Sequence, residues 1–430
     1  MGYSATNIIE LQKLIAPAVY GDLDLSIEPE RFRKEPGDNS IVKQNPRIQA
    51  LIKDKDKVEF FRQLTLMGDP LADAFATTIS EIGFKKARVM LDQAAAHGVD
   101  SVPDAPQTLI DLMKSMENEP DWVDWDKIES ASKNARTLTA TAGEAVVRVA
   151  FMMTYVNGYQ GLPMIMTGAL TSDSAAKRMK ETVSTFKLAT LPGALKRGGL
   201  AYQSAVKVRV MHAMVRTNLL KKKESWDYEV YGVPIPQVDQ MGAALALNYM
   251  MALYVLKKDG KFNPAMAAAV EQSRYLAHLL GMHDQFLSND PETIVETWNM
   301  VQATLRHKFD PRGRQLNIAT LEAFRRHGNN WFDRVYHQLD VSATRYMYNK
   351  IVGKRTATEM GVGLENYDGL SFAAMFLPIG VGFGALSVLR QVPFVKKYVE
   401  DFCIQETLNQ LQKEGQAEYK TDAQQYNYEA

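Results

Sequence analysis

Seven histidines mark the chain, His97, His212, His278, His283, His307, His327 and His337, and their neighbours decide which metal chemistry is open. A ferritin-like di-iron site places a glutamate three residues before a histidine on one helix. Those positions hold Ala94, Arg209, Tyr275, Leu280, Thr304, Phe324 and Arg334, so that chemistry is excluded. There is no His-Glu-x-x-His zinc motif, no Gly-x-Ser-x-Gly nucleophile elbow and no Walker loop. A single cysteine, Cys403, rules out an internal disulfide and a Cys-ligated structural zinc. The cluster Gly380-Val-Gly-Phe-Gly follows no predicted strand and is not a nucleotide fingerprint.

One histidine stands apart. In Ala205-Val-Lys-Val-Arg-Val-Met-His-Ala-Met-Val-Arg, helical spacing puts Ala205, Val208, His212, Val215 and Leu219 on one face. His212 then lies in an apolar stripe, with Arg209 and Arg216 about one turn to either side, on the stripe's edges. A neutral imidazole in an apolar pocket, with cations nearby for propionates or other carboxylates, is what a haem asks of a helix. A core histidine bonded to a backbone carbonyl has the same pattern and is the commoner case.

A second segment, Ser174-Ala-Ala-Lys-Arg-Met-Lys-Glu-Thr-Val-Ser-Thr-Phe, places Arg178, Glu181 and Thr182 together on a helix beside Met179, Val183 and Phe186. A cation, a carboxylate and a hydroxyl so grouped can steer O2, hold a water or move a proton. The plainer reading is an Arg178–Glu181 surface ion pair with Thr182 bonding back to its own helix.

These residues must be carried by helices. Apolar residues recur three and four apart from about residue 57 onward, with no run of alternating β-branched residues. The expected fold is all-α, a single large helical domain over 57–412. Before it, residues 1–56, with Pro17, Pro29, Pro36 and Pro46, read as an irregular arm; after it, 413–430 read as a polar flexible tail. Proline and glycine punctuate the helices. Gly158 to Pro163 should end the helix bearing Glu144 and Phe151, and Pro192-Gly193 should separate helices over 174–190 and 194–221. Gly232, Pro234 and Pro236 should lead into a helix over 238–257, and Asp290-Pro291 should start another.

With 46% hydrophobic and 23% charged residues, the 430-residue chain can bury a sizeable core. Fifty basic against fifty acidic residues give no net charge, so nucleic acid is not an expected partner. The N-terminus lacks the basic and apolar regions of a secretory signal, which points to an intracellular location, and Gly2 with Thr6 fits the myristoylation pattern only at the level of chance. From Gly369 to Leu389 no residue is charged. Pro378 and three nearby glycines favour a buried or peripheral hairpin there, with a membrane-embedded segment as the rival, and peripheral membrane contact through 369–389 stays open.

The segment Val208-Arg209-Val210-Met211-His212-Ala213-Met214-Val215-Arg216 resembles the haem-ligand helix of the rubber oxygenase (latex clearing protein) and MpaB-type oxygenase family. Met67-Gly-Asp-Pro-Leu-Ala-Asp-Ala resembles a motif upstream of it. Trp226 with Tyr231-Gly-Val-Pro-Ile-Pro-Gln, and Leu279-Leu-Gly-Met-His-Asp-Gln-Phe, resemble segments downstream. The resemblance spans roughly residues 65–310 and implies a globin-like helical core binding haem b. It implies His212 as the iron ligand, Arg209 and Arg216 near propionates or carboxylates, and O2-dependent cleavage of isoprenoid double bonds. The family's distal Arg-x-x-Lys-Thr run is matched at its ends by Arg178 and Thr182, with Glu181 in place of the lysine. The family's upstream glutamate has no counterpart in Tyr159-Gln160-Gly161-Leu162, which leaves Glu181 as the candidate base. The implied activity is a haem b-dependent oxygenase taking O2 and an apolar, unsaturated isoprenoid or lipid-like substrate, with Arg178, Glu181 and Thr182 as catalytic candidates. Two rivals stand beside it: a non-oxygenase haem protein (peroxidase-like, gas sensor or carrier) and a cofactor-free helical protein that binds lipid or a partner.

Overall fold

The computed structural model describes residues 6–35, 46–166, 181–222, 226–258, 260–322 and 331–414. Among them the secondary structure is helical, with only an isolated antiparallel bridge between Phe32 and Leu305, so the chain is all-α. The described residues group into two compact units, one within 6–128 and 195–307, the other within 129–194 and 308–414.

In the first unit, local chemistry sets where helices begin. Asp69, Asn263 and Asp290 each cap a helix whose first residue is proline: Pro70–Ile82, Pro264–Leu279 and Pro291–Thr304. Each side chain accepts a hydrogen bond from an otherwise orphaned backbone N–H, and proline costs nothing at a position whose N–H has no helical partner. The core gathers Phe60, Phe61, Leu64, Met241, Leu245 and Phe286. Helices Thr6–Ile15, Pro17–Tyr20 and Pro46–Ile52 lie within the segment expected to be irregular. Buried Arg31 fixes that segment by a bidentate pair with Asp239, at 2.5 and 3.0 Å.

The second unit is built on the helix Trp125–Thr154 (from Glu129), with Pro311–Glu322 and Trp331–Val352. Val149, Met152, Tyr155, Leu316, Tyr348 and Met360 form its apolar core. Inside this core Arg148 donates to Asp340 at 2.6 Å and to the Thr344 hydroxyl at 3.3 Å.

Two sequence expectations are corrected here. Gly158 to Pro163 does not terminate a helix: the long helix stops at Thr154, and Gly158–Met166 is a new one with Pro163 inside it. Gly158 donates its N–H to the Lys308 carbonyl at 2.8 Å, and an added Cβ would lie 2.8 Å from the Asp310 Cβ. Close approach, not helix termination, explains that glycine. The uncharged stretch is also not buried. It forms one helix, Asp368–Leu389, running through Pro378, followed by Pro393–Glu414, and only Asp368 and Ser371 of the first are buried.

The Arg148–Asp340 pair gives a stability test. Asp340→Ala leaves a buried guanidinium without its carboxylate and should cost roughly 3–5 kcal/mol in urea denaturation. The Arg148→Met/Asp340→Leu double variant should recover most of that loss. Additive losses would contradict the coupling.

Candidate functional site

His212 sits in the middle of the helix Leu200–Lys221 in the first unit. Residues at similar helical angle, Ala201, Ala205, Val215, Arg216 and Leu219, are all buried. Val208 and His212 nevertheless stay partly exposed. The histidine is therefore half-buried, and its Nδ1 is buried. The two arginines are less exposed than the histidine they flank, at 7% for Arg209 and 0% for Arg216. They lie inside the packed side of the helix and not at its edge, because each has a buried carboxylate.

Those carboxylates come from one turn of another helix. Arg209 binds Asp69 in bidentate fashion, Nε to Oδ2 at 2.6 Å and a terminal nitrogen to Oδ1 at 3.0 Å. Asp69 also caps Pro70–Ile82, so one side chain fixes both the start of that helix and the arginine. Arg216 donates to Asp73, and its other nitrogens reach the carbonyls of Pro234 and Ile235 at 3.0 Å each. Tyr20 donates its hydroxyl to the second oxygen of Asp73, which also accepts the Asp69 backbone N–H at 3.1 Å. A third side chain closes the knot. Buried Gln237 donates to the carbonyls of Gly68 and Gly281 at 2.8 and 3.0 Å and accepts the His283 N–H at 2.9 Å.

Two glycines let these groups approach. Gly281 has φ +79°, and a Cβ there would meet the Asp69 carboxylate and lie 2.6 Å from the Arg209 Nε. A side chain on Gly68 would overlap the Tyr20 hydroxyl and come within 2.7 Å of Arg216. The four sequence segments quoted above thus converge on the His212 helix: Gly68 to Asp73, Arg209 to Arg216, Pro234 to Gln237, and Gly281 to His283.

Burial and charge set the ionisation of this knot. Burial pushes the Asp73 carboxyl up to about 6, with Arg216 opposing the rise and Asp69 adding to it. Burial also raises Tyr20 well above the usual phenol range, with the Asp73 charge adding to it. For Arg216, burial works against the charge, but Asp73, Tyr20 and Asp69 together outweigh it and hold the guanidinium protonated. The neighbouring imidazoles are engaged elsewhere. His278 packs edge-on against Trp122 and stacks with Tyr275, and its Nδ1–Nε2 ring is kept neutral by burial and the Arg209 charge. His283 accepts the Gln285 N–H on Nδ1 at 3.2 Å and is likewise kept neutral by burial.

In the second unit, Glu181 and Thr182 lie among the helical residues 181–188 and are partly buried. The Glu181 carbonyl accepts from the Thr185 hydroxyl at 3.1 Å. Beyond them the chain is anchored by Ser132, donating to Ala189 O at 3.2 Å, and by Arg136, donating to Thr190 O at 2.8 Å. Arg178 lies outside the described residues. Among the described residues no three His, Cys, Asp or Glu side chains are grouped to hold a bare ion. A haem iron, carried by its macrocycle, asks for as little as one protein ligand. His212, on a helix fixed by its flanking arginines, is the residue that could supply it.

Sequence reasoning singled out His212 and its arginines but not Tyr20, Asp69, Asp73 or Gln237. The Asp-Pro pair at 69–70 was a legible cap signal. The pairing of its aspartates with Arg209 and Arg216, about 140 residues away, was not.

This fold and these segments define an oxygenase-type catalytic domain. The chain belongs to the family described as ER-bound oxygenase mpaB/B′/rubber oxygenase, catalytic domain, matched over residues 144–379. The fold is similar to that of latex clearing protein in its closed state, with TM-score 0.54 and 18% identity, covering 80% of this chain and 91% of that one. No curated protein sequence matches the chain.

The raised carboxyl gives a pH test of the knot. A group whose folded pKa rises from 3.8 to about 6 contributes stability that is full below 3.8 and is lost as pH climbs through 6. The stability of the native chain relative to Asp73→Asn should therefore fall between pH 4 and 6 in urea titrations. A margin that grows with pH over this range would contradict the assignment.

Proposed function

We infer that the chain is a haem b-dependent oxygenase acting on an apolar, unsaturated substrate, isoprenoid or lipid-like, by O2-dependent cleavage of a carbon–carbon double bond. The observation that carries this reading is His212: a partly exposed imidazole, on a helix clamped on both sides, inside the segment matched to an oxygenase family. The structural neighbour is a latex clearing protein, whose fold this chain shares.

In this reading His212 would be the residue that holds the haem iron. Haem b, when bound, supplies the iron centre at which O2 is activated. The protein's part is orientation and proton handling. Arg209 and Arg216 are directed at Asp69 and Asp73, so their role is to fix the rotation and axial position of the helix that presents His212. A ligand histidine depends on such support for its direction as much as on its own nitrogen. The choice of Arg178, Glu181 and Thr182 rests on the order of the motifs. Glu181 is the carboxylate for moving a proton, Thr182 the hydroxyl for holding a water or substrate oxygen, and Arg178 the cation. Glu181 stands where the resemblance places a lysine, so that position would supply a carboxylate in place of an amine.

Two substitutions test the assignment. His212→Ala should abolish the Soret band of the purified protein and its recovery with haemin, while the helical circular dichroism persists; stoichiometric haem in that variant sinks the ligand assignment. Glu181→Gln should lower O2 uptake with unsaturated lipid by roughly 100-fold, the lower range for loss of a general acid–base group, without loss of haem. Unchanged uptake would remove Glu181 from the chemistry.

A further inference from the structure

The helix Asp368–Leu389 is bound to its unit on one side only. Asp368 accepts a hydrogen bond from Arg345 at 3.3 Å, and Phe372 packs on Tyr346 with ring centroids 5.0 Å apart. Partly covered positions recur at 372, 375, 376, 379, 382 and 386, a single stripe facing the helix Trp331–Val352. The opposite side is apolar and open, with Leu370, Leu377, Val381 and Val388 each 62–71% exposed. A Cβ added at Gly380 or Gly384 would meet nothing within 4 Å beyond the helix's own backbone.

The next helix continues this surface. Pro393–Glu414 buries Val399, Cys403 and Thr407 on one side and exposes Phe394, Tyr398 and Phe402 on another, in both cases at four-residue steps. Its buried side is tied down by Glu400, which pairs with Arg136, with Lys133 at 3.3 Å and with Arg390 at 3.3 Å. The exposed aromatics are therefore held in place, beside the exposed Lys396 and Lys397. The family match ends at 379, inside the first of these helices, and Val381, Val388 and the exposed aromatics of the second lie beyond it.

We propose that this face, the outer side of 368–389 together with Phe394, Tyr398 and Phe402, is a membrane-docking surface that lies along a lipid bilayer with its apolar side in the acyl region. Four features favour lipid over another protein as its occupant. The uncharged run is long: 22 helical residues extend about 33 Å, close to the thickness of a bilayer core. Polar contacts that would specify a protein partner are missing from the outer side of that run, where every residue from Gly369 to Leu389 is uncharged. Aromatic rings and lysines follow at its C-terminal end, the composition of a membrane–water boundary. By length and composition it is the one helix among the described residues that could cross a bilayer.

Crossing is nevertheless the wrong geometry for it. Its packed neighbour, Trp331–Val352, carries Arg334, His337, Asp340, Arg345 and Lys350, and would be drawn into the hydrocarbon with it. Lying in the plane of the membrane lets the apolar side enter lipid while the charged neighbour stays on the protein side. This surface stands independently of the haem reading.

The test is flotation of the full-length protein with phosphatidylcholine vesicles, compared with a Leu377→Glu/Val381→Glu/Val388→Glu variant. The native chain should float with the vesicles at high salt, and the variant should lose at least ten-fold in bound fraction with an unchanged thermal midpoint. Adding anionic lipid should strengthen binding of the native chain, and Lys396→Glu/Lys397→Glu should remove that increment. A native chain that stays unbound, or a triple variant that floats equally well, overturns the proposal. A lipid-independent dimer that the triple variant dissociates would also overturn it, and would assign the face to a second copy of the chain.

Discussion

Two buried arginine–aspartate pairs, Arg209 with Asp69 and Arg216 with Asp73, are the constraint on which the first unit depends. They bracket His212, one on either side along the helix, and both carboxylates come from the first turn of Pro70–Ile82. Charges buried this deeply gain little stability over well-packed apolar residues, because desolvation offsets most of their attraction. Their effect is on register. A helix rotated by one residue or shifted by one turn would leave a guanidinium or a carboxylate buried without a partner, a far larger cost than a displaced leucine. The two pairs together therefore admit one placement of the histidine.

Other features of the unit follow from that placement. Asp69 must also begin a helix, which explains Pro70 directly after it. Gly68 and Gly281 must be glycines because the ion pairs occupy the space of their side chains. Gln237 satisfies the backbone of the loops that close around the pairs, and Tyr20 extends the network to a helix of the N-terminal segment. The second unit uses the same device in its own core, with Arg148 and Asp340 joined between two long helices. In both units polar groups specify geometry and apolar groups supply the burial energy.

Much of this was legible in the sequence, and the parts that were not share a cause. The all-helical fold follows from three-and-four periodicity, and the start at Asp290-Pro291 from capping chemistry, since both are local. His212 stood out because its own helix made it unusual. Its supports were not legible as a group: Asp69 and Asp73 look like ordinary N-terminal carboxylates until Arg209 and Arg216 are brought to them. Arg209 and Arg216 were read as edge cations for the same reason. The glycines and Pro378 in 369–389 read as breaks, but proline's local penalty did not interrupt the helix, whose neighbour Trp331–Val352 supports it along one side. Gly158 was read as a stop, whereas contact with Lys308 and Asp310, distant in sequence, determines it.

The role proposed for the knot is to present His212 to a haem iron. The most direct measurement is the absorption spectrum of the freshly purified full-length protein together with its pyridine haemochrome. A Soret band and close to one b-type haem per chain are expected. A colourless protein that takes up no haemin when titrated would contradict it.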